Sequence, residues 1–342
     1  MRVPRPPASM TAFIAIRAKL RGRGLASYCA ARKGRGARGK SAMVEVTIGV
    51  AVYNGAELLD GSLACLARQT FRDFQVLIFD NASTDGTAEI ARGWAARDPR
   101  FHYRRQPSNV GGMINARDVL LAADTKWFMW RADDDLSDDN YLEALYGLAS
   151  QSPGCKLAAS TAVLVDWDLS VENVIESPAG LDPNSIGGRI RALLASGPPW
   201  YYGLWDRETL RSALLGVLEN FPYPFASDHL TLYGPIVEGG LRVTSTTRMI
   251  MRVRRAPKAK GQGGRASFAT MWAIRRGFTR NLRRMRAERE LSPGMRLALL
   301  AAQPLYIRRR LPSLTKLLRR GLRDALGQSG RSAASWHVQR NS

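Results

Sequence analysis

Three consecutive carboxylates, Asp133, Asp134 and Asp135, follow an apolar and aromatic run in "FMWRADDDLSDD". Adjacent acids repel one another, and a buried strand is a costly neighbour for them, so the pattern calls for a counter-charge. Hard divalent cations supply one. Mg²⁺ and Mn²⁺ take carboxylate oxygens from one or two side chains and share their remaining positions with substrate phosphates. A solvated helix N-terminus also favours acids, but that reading suits Asp138 and Asp139 better than the three residues abutting the strand. Asp80 ends a second apolar run, "FQVLIFD". A carboxylate there can accept a hydrogen bond from a base imide, and helix capping explains it equally well. In "NVGGMINARD", Asn109, Gly111 and Gly112 can bring backbone close to a ligand before a helix that carries Arg117; a plain turn does the same.

These residues need elements to hold them. From Glu45 the chain alternates strand and helix: "EVTIGVAVY", a segment with Leu59, Leu63 and Leu66 at helical spacing, "FQVLIFD", and a helix after "NASTDG". Then come the strand "FHYRR", a helix over 112–123, the strand "KWFMWR", a helix from about Asp138, and the strand "KLAASTAVLVDW". Repeated strand, helix, strand predicts an α/β fold with a mostly parallel central sheet between helices. Ligands bind outside the carboxyl ends of such strands. Three of those ends are polar, "YNG", "DNASTD" and "DDD", and their convergence on one sheet edge is harder to assign to independent turns.

Composition narrows the function. The 342 residues carry a formal charge of +22, which points to nucleic acid or an anionic membrane until its distribution is examined. Residues 1–42 hold eleven Lys/Arg and no acid, and 251–342 hold 23 Lys/Arg against three acids. The middle, 43–250, has 17 basic and 26 acidic residues, so the positive excess lies wholly in the ends. Its acidic balance argues against a nucleic-acid partner. Three cysteines and three histidines, far apart and without metal-ligand spacing, exclude a disulfide scaffold and a zinc site. The sequence shows no apolar run of membrane-spanning length, and the expected localisation is cytoplasmic.

With those motifs in hand, residues 45–150 resemble the nucleotide-sugar-binding half of a family 2 glycosyltransferase of GT-A fold, on "VAVYNGAELLDGSLACLARQTFRDFQVLIFDNASTDGT" and the acids after the fourth strand. The resemblance runs strongly to Asp135 and loosely to about Arg252. It implies that Asp80 reads the donor base and that Val52, Tyr53, Asn54, Asn109 and Arg117 shape the nucleotide-sugar pocket. It further implies that Mg²⁺ or Mn²⁺ on Asp133, Asp134 and Asp135 holds the diphosphate of a UDP, GDP or TDP sugar. The sequence departs from the family at Ala51, where proline is usual, at Asn81-Ala82 in place of Asp-Gly, and at Arg131. Arg131 stands where the first acid of the Asp-x-Asp motif belongs, and its guanidinium suits bidentate contact with the diphosphate. In the second half, "FASDHLTLYGPIVEGG" resembles the family segment carrying the catalytic acid, which makes Asp228 the candidate general base, with His229 its neighbour. Taken alone, Asp228 reads first as a helix cap after Ser227, and the family match tips the balance toward the general base. No QxxRW motif follows, so the implied reaction is a non-processive, inverting transfer to a hydroxyl acceptor, of glycan, lipid-linked or cell-envelope type.

The domain reading is a disordered basic tail over 1–42, a glycosyltransferase domain over 43–255 (nucleotide-sugar binding to 150, acceptor side from 151), and a basic helical extension over 256–342. Met43 directly precedes the first strand, and translation beginning there is an expectation that intact mass would test. Leu314, Leu317, Leu318, Leu322 and Leu326, interleaved with Lys316, Arg319, Arg320 and Arg323, form a basic amphipathic helix suited either to an anionic membrane surface or to packing on the domain. Two other readings remain open at this point: a catalytically degenerate nucleotide-sugar-binding protein, which Arg131 favours, and a nucleic-acid-binding protein using the basic tails.

Overall fold

The structure, a computed structural model, describes residues 44–253 and 266–325. The expectations for the 1–42 tail, Met43 and Leu326 lie outside them. Nine strands form one sheet: β1 (Val46–Val52), β2 (Phe74–Asp80), β3 (Phe101–Arg105), β4 (Trp127–Trp130), β5 (Leu136–Ser137), β6 (Leu157–Val165), β7 (Val171–Ile175), β8 (Leu204–Asp206) and β9 (Leu241–Arg252). The helices are α1 (Leu59–Ala67), α2 (Thr87–Arg97), α3 (Gly112–Ala122), α4 (Tyr141–Gln151), α5 (Ile186–Ala195), α6 (Pro198–Tyr201), α7 (Arg207–Asn220), α8 (Ser227–Val237), α9 (Phe268–Ala287), α10 (Pro293–Arg310) and α11 (Leu314–Ala325).

The spatial order is β3-β2-β1-β4-β8-β6-β9-β5, with β7 also on β6. The first four strands pair in parallel through helical crossovers, as the alternating pattern predicts. Beyond β4 the sheet is mixed: β8 runs antiparallel to both β4 and β6, while β6 and β9 are parallel. The expectation of a mostly parallel sheet therefore holds for the first half only. The reason is local: β8 is three residues long, enters from the short helix α6, and needs no crossover to reach its neighbours.

Both faces of the sheet are covered, so its inner strands read as continuous apolar runs. Val76 and Ile78 of β2 face α1, α2 and α4, while Leu77 and Phe79 face the other layer. On that second face, α3 and α5 share one core with the C-terminal helices. Met271, Ile274, Phe278, Leu282 and Met285 recur at helical spacing along α9 and pack with Phe221, Leu230 and Tyr306. The C-terminal helices thus belong to the main core rather than to a detached unit. Ser267 and Ser292 cap α9 and α10 by accepting from Thr270 N (3.2 Å) and Met295 N (3.2 Å).

Candidate active site

The ends of β1 and β2 are stitched together before any ligand is considered. Their register sets Val52 beside Asp80, and Asn81 N donates to Val52 O (2.8 Å). Asn54 takes a left-handed conformation (φ 51°), which its short polar side chain tolerates. Asn54 N donates to Ser83 Oγ (3.0 Å), and Asn54 Oδ1 accepts from Thr84 N (2.8 Å). Gly55 N donates to Thr87 Oγ1 (2.9 Å), and Asp85 accepts from Ala56 N (3.1 Å). Much of the "YNGA" and "DNASTDGT" motifs therefore binds itself and forms a rigid floor. Val52 is buried beneath that floor, and Tyr53 stands exposed above it.

Asp80 is fully buried and accepts from Ser83 N (2.7 Å), Tyr103 Oη (2.9 Å) and Arg105 Nη1 (2.8 Å). Burial works to raise its pKa, but the bonds from Ser83 and Tyr103 and the Arg105 charge prevail and hold it below the usual 3.8. Asp80 is thus an ionised acceptor, and Arg105 (half exposed) fixes the same corner by donating to Ser83 O (2.7 Å). Tyr103 and Arg105 were not picked out from the sequence. Their signal is a two-residue polar spacing on β3, and the parallel register that puts Arg105 beside Asp80 exists only in the sheet.

Asn109 Oδ1 accepts from Asn81 Nδ2 (2.9 Å) and Gly111 N (2.9 Å), while Gly111 adopts φ 87°, a conformation that favours glycine. Arg117 donates through Nε to its neighbour Asp118 (2.9 Å). Asn109 is therefore joined to the floor, and Arg117 is engaged locally by an acid.

The three carboxylates after β4 separate. Asp133 lies against Gly55, where an added Cβ would collide with its carboxylate, so glycine is required for the β1 and β4 loops to meet. Asp134 O accepts from Arg252 Nη1 (2.9 Å) at the end of β9. Asp135 is buried and accepts from Arg252 N (3.2 Å). Burial first, then Asp134, raise its pKa to about 7 against the opposing pull of Arg131. Arg131 is itself 2 % exposed. Its Nη2 donates to Ser137 Oγ (2.8 Å) and its guanidinium lies over the Tyr141 ring (5.9 Å). Arg131 lies buried, its charge pulling against the rise at Asp135, and Asp135 is turned inward with it. Both follow from the cost of leaving a buried charge without an opposite one.

Among the described residues no three His, Cys, Asp or Glu side chains gather as a metal-holding group. The position still fits a divalent ion of the kind that shares a substrate diphosphate, which needs only one or two carboxylates. Asp133, beside the β1 loop, is the residue placed for that, with Asp134 adjacent.

Residues from α6 and α8 bear electrostatically on the same region. Asp228 sits in the first turn of α8, behind Ala226, whose φ of 67° is an uncommon left-handed conformation for alanine. Trp130 stacks on Tyr201 (centroids 6.3 Å, 8° between planes), and Tyr201 packs edge-on to Tyr202 (5.8 Å). Burial raises the Tyr202 hydroxyl first, and Asp135, Asp134, Asp228 and Asp133 each add to the rise. One phenol thus lies within electrostatic reach of both the β4 acids and Asp228, which the sequence separates by more than ninety residues. His229 is buried. Desolvation lowers its pKa, Asp228 opposes that, and Arg310 reinforces it, so the imidazole is biased toward its neutral form. The C-terminal helices reach this point too: Tyr306 Oη donates to His229 O (3.1 Å).

Residues 47–169 match the family model described as Glycosyl transferase family 2. This segment is similar to family 2 glycosyltransferases. Among curated relatives of that kind, glycosyltransferase GlyG of Streptococcus pneumoniae serotype 4 is 26% identical over 102 residues, 30% of this chain and 34% of that protein. The chain spans between 14% and 34% of the length of the curated relatives it matches. Solved structures extend the likeness to the fold, a mixed α/β sheet with flanking helices similar to GT-A glycosyltransferases. Staphylococcus aureus TarS 1–349, solved with UDP-GlcNAc, superposes with a TM-score of 0.57 at 14% identity over 77% of this chain and 73% of that one. The mannosyltransferase PcManGT from Pyrobaculum calidifontis, solved with GDP-Man and Mn²⁺, gives 0.51 at 17% identity over 94% and 87%. The family 2 segment contains the floor, Asp80 and the β4 acids, whereas Asp228 lies beyond it.

Proposed function

We propose that the chain is a glycosyltransferase that moves a sugar, with inversion and without processivity, from a nucleoside-diphosphate sugar to a hydroxyl acceptor. The observation that carries this reading is Asp80, buried at the end of β2 and bonded by Ser83 N, Tyr103 Oη and Arg105 Nη1, within the segment that matches the family 2 model. An in-line displacement at an anomeric carbon requires carboxylates that bind the donor and another that accepts the acceptor's proton. The solved relatives' UDP-GlcNAc and GDP-Man support a nucleotide-sugar donor.

In this mechanism Asp80, held ionised by Ser83, Tyr103 and Arg105, accepts from the base of the donor. The floor built by Asn54, Ser83 and Asn81 keeps Tyr53 and Asn109 at the pocket edge. Asp133, with Asp134 beside it, would hold Mg²⁺ or Mn²⁺, which supplies Lewis-acid stabilisation to the leaving diphosphate when bound. Asp228 takes the proton of the acceptor hydroxyl as its oxygen attacks the anomeric carbon from the face opposite the diphosphate. The Trp130, Tyr201 and Tyr202 cluster forms an aromatic wall on the acceptor side and helps exclude water.

The test is release of nucleoside diphosphate from UDP, GDP and TDP sugars with Mn²⁺ and mixed hydroxyl acceptors, with thermal shift run in parallel. Turnover with at least one donor, abolished by Asp228→Asn while donor-induced stabilisation persists, is the expected result. Stabilisation by a donor without turnover would instead favour a degenerate binding protein, the reading that the buried Arg131 at an acid position supports.

A further inference from the structure

The C-terminal helix α11 divides its apolar residues between two directions. Leu317 is 2 % exposed and faces the core, and Gly321 lets the helix close on Phe268, which an added Cβ would meet at 3.2 Å. Arg275 Nη1 donates to Pro312 O (3.2 Å) and anchors the approach to the helix. Leu314, Leu318 and Leu322 point the other way and are 49, 67 and 64 % exposed. One turn apart, they line a single stripe. Trp272 of α9, stacked on Phe268 (5.9 Å), adds a half-exposed indole on the helix that α11 covers. Leu297, Leu300 and Leu305 of α10 are also exposed in the same segment.

The charge of this segment is predominantly basic. From Leu291 to Ala325 the sequence has eight Arg or Lys and one acid, Asp324. Lys316 and Arg319 are exposed on α11, and Arg276 is exposed one turn beyond Trp272 on α9. Packing on the domain accounts for Leu317 and Gly321 but leaves the outward leucines without a role. Neutral apolar partners would not require the predominantly basic border, and a basic partner would be repelled by it. An anionic lipid surface matches both: acyl chains take the leucines, an indole suits the headgroup boundary, and long basic side chains reach phosphates while their stems stay apolar.

We propose that the outward face of α11, with Trp272 beside it, docks the protein on an anionic membrane surface, lying in the interface without crossing it. Among the described residues no helix is long and apolar enough to span a bilayer, which agrees with a face that lies flat. The inference stands apart from the glycosyl-transfer reading, since vesicle binding can succeed or fail whatever the enzyme's substrate.

The experiment is co-sedimentation of the full chain with vesicles of phosphatidylcholine alone and of phosphatidylcholine with phosphatidylglycerol, at low and high salt. The expected result is partition onto the anionic vesicles that weakens with salt and falls about tenfold or more in Leu318→Glu/Leu322→Glu. The uncharged Leu318→Gln/Leu322→Gln should fall in the same direction, and both variants should melt at the wild-type temperature because the replaced side chains are exposed. Absence of binding to anionic vesicles would overturn the proposal. So would undiminished binding by both variants, which would assign the attraction to basic residues elsewhere. Self-association lost in these variants, without vesicle binding, would show the face to be a contact between copies and would equally overturn it.

Discussion

The donor half of the molecule, β1 to β4, and the half that follows solve the same problem in different ways. In the first, each polar residue sits at the end of a parallel strand, so a few residues of chain carry it to the site. Its loops are cross-braced by short hydrogen bonds such as Asn54 to Ser83 and Gly55 to Thr87. In the second, Asp228 stands on a helix whose position depends on antiparallel strands, an aromatic cluster and helices from the chain's far end, including the Tyr306 contact to His229 O. The first half is held locally, and the second is held by distant parts of the chain. Damage to the donor half should therefore show as lost affinity or chemistry, and damage to the C-terminal helices should show as lost fold.

The largest expected effect is Asp228→Asn, which should lower turnover by about 10²–10⁴-fold with little change in donor binding. An unchanged rate would remove Asp228 from the chemistry and break the two-sided picture. Next, Asp133→Ala should cut turnover by about 10²–10³-fold and also weaken Mn²⁺-dependent donor stabilisation in thermal shift. In the far half, Phe278→Ala should cost about 3–5 kcal/mol and lower a single unfolding transition, since Phe278 shares a core with Phe221 and Tyr306. Two separated transitions would instead mean that the C-terminal helices fold apart. Arg131→Met should cost about 3 kcal/mol by stranding Asp135, read as a lower melting temperature in the absence of donor. A raised donor KM with unchanged melting would return Arg131 to the diphosphate.

The smallest effect concerns pH. Asp80 has a folded pKa below its ordinary 3.8, so the unfolded chain binds a proton more readily. Its contribution to stability is full above the unfolded value and is lost as pH falls below about 3.8 through the folded value. Asp80→Asn should flatten the melting temperature against pH in that range, and a curve parallel to wild type would contradict the assignment.

Much of the donor half was legible because local rules and global fold agree there. Period-two apolar strands, helical leucine spacing and polar strand ends all pointed to one parallel sheet with one ligand edge. The register that joins Tyr103 and Arg105 to Asp80 was not legible, because strand pairing is a relation between segments and neither segment states it alone. The burial of Arg131 was not legible for a related reason. A guanidinium among acids suits a phosphate or a buried carboxylate equally, and its packing against Tyr141 and Ser137 is a tertiary contact. The extension was read correctly as helical and basic, yet its Leu face was left between membrane and domain. The structure divides it, Leu317 inward and Leu318 outward.

The sequence by itself determined the alternation of elements, the edge at which polar residues collect, and the uneven charge, because periodicity and composition act over a few residues. Tertiary structure alone decided which acid stays beside the β1 loop, that Asp228 approaches that end of the sheet, and that the last helices belong to the core. Those outcomes depend on burial and on charges meeting across a hundred residues or more, and such free energies exist only once the chain has closed on itself.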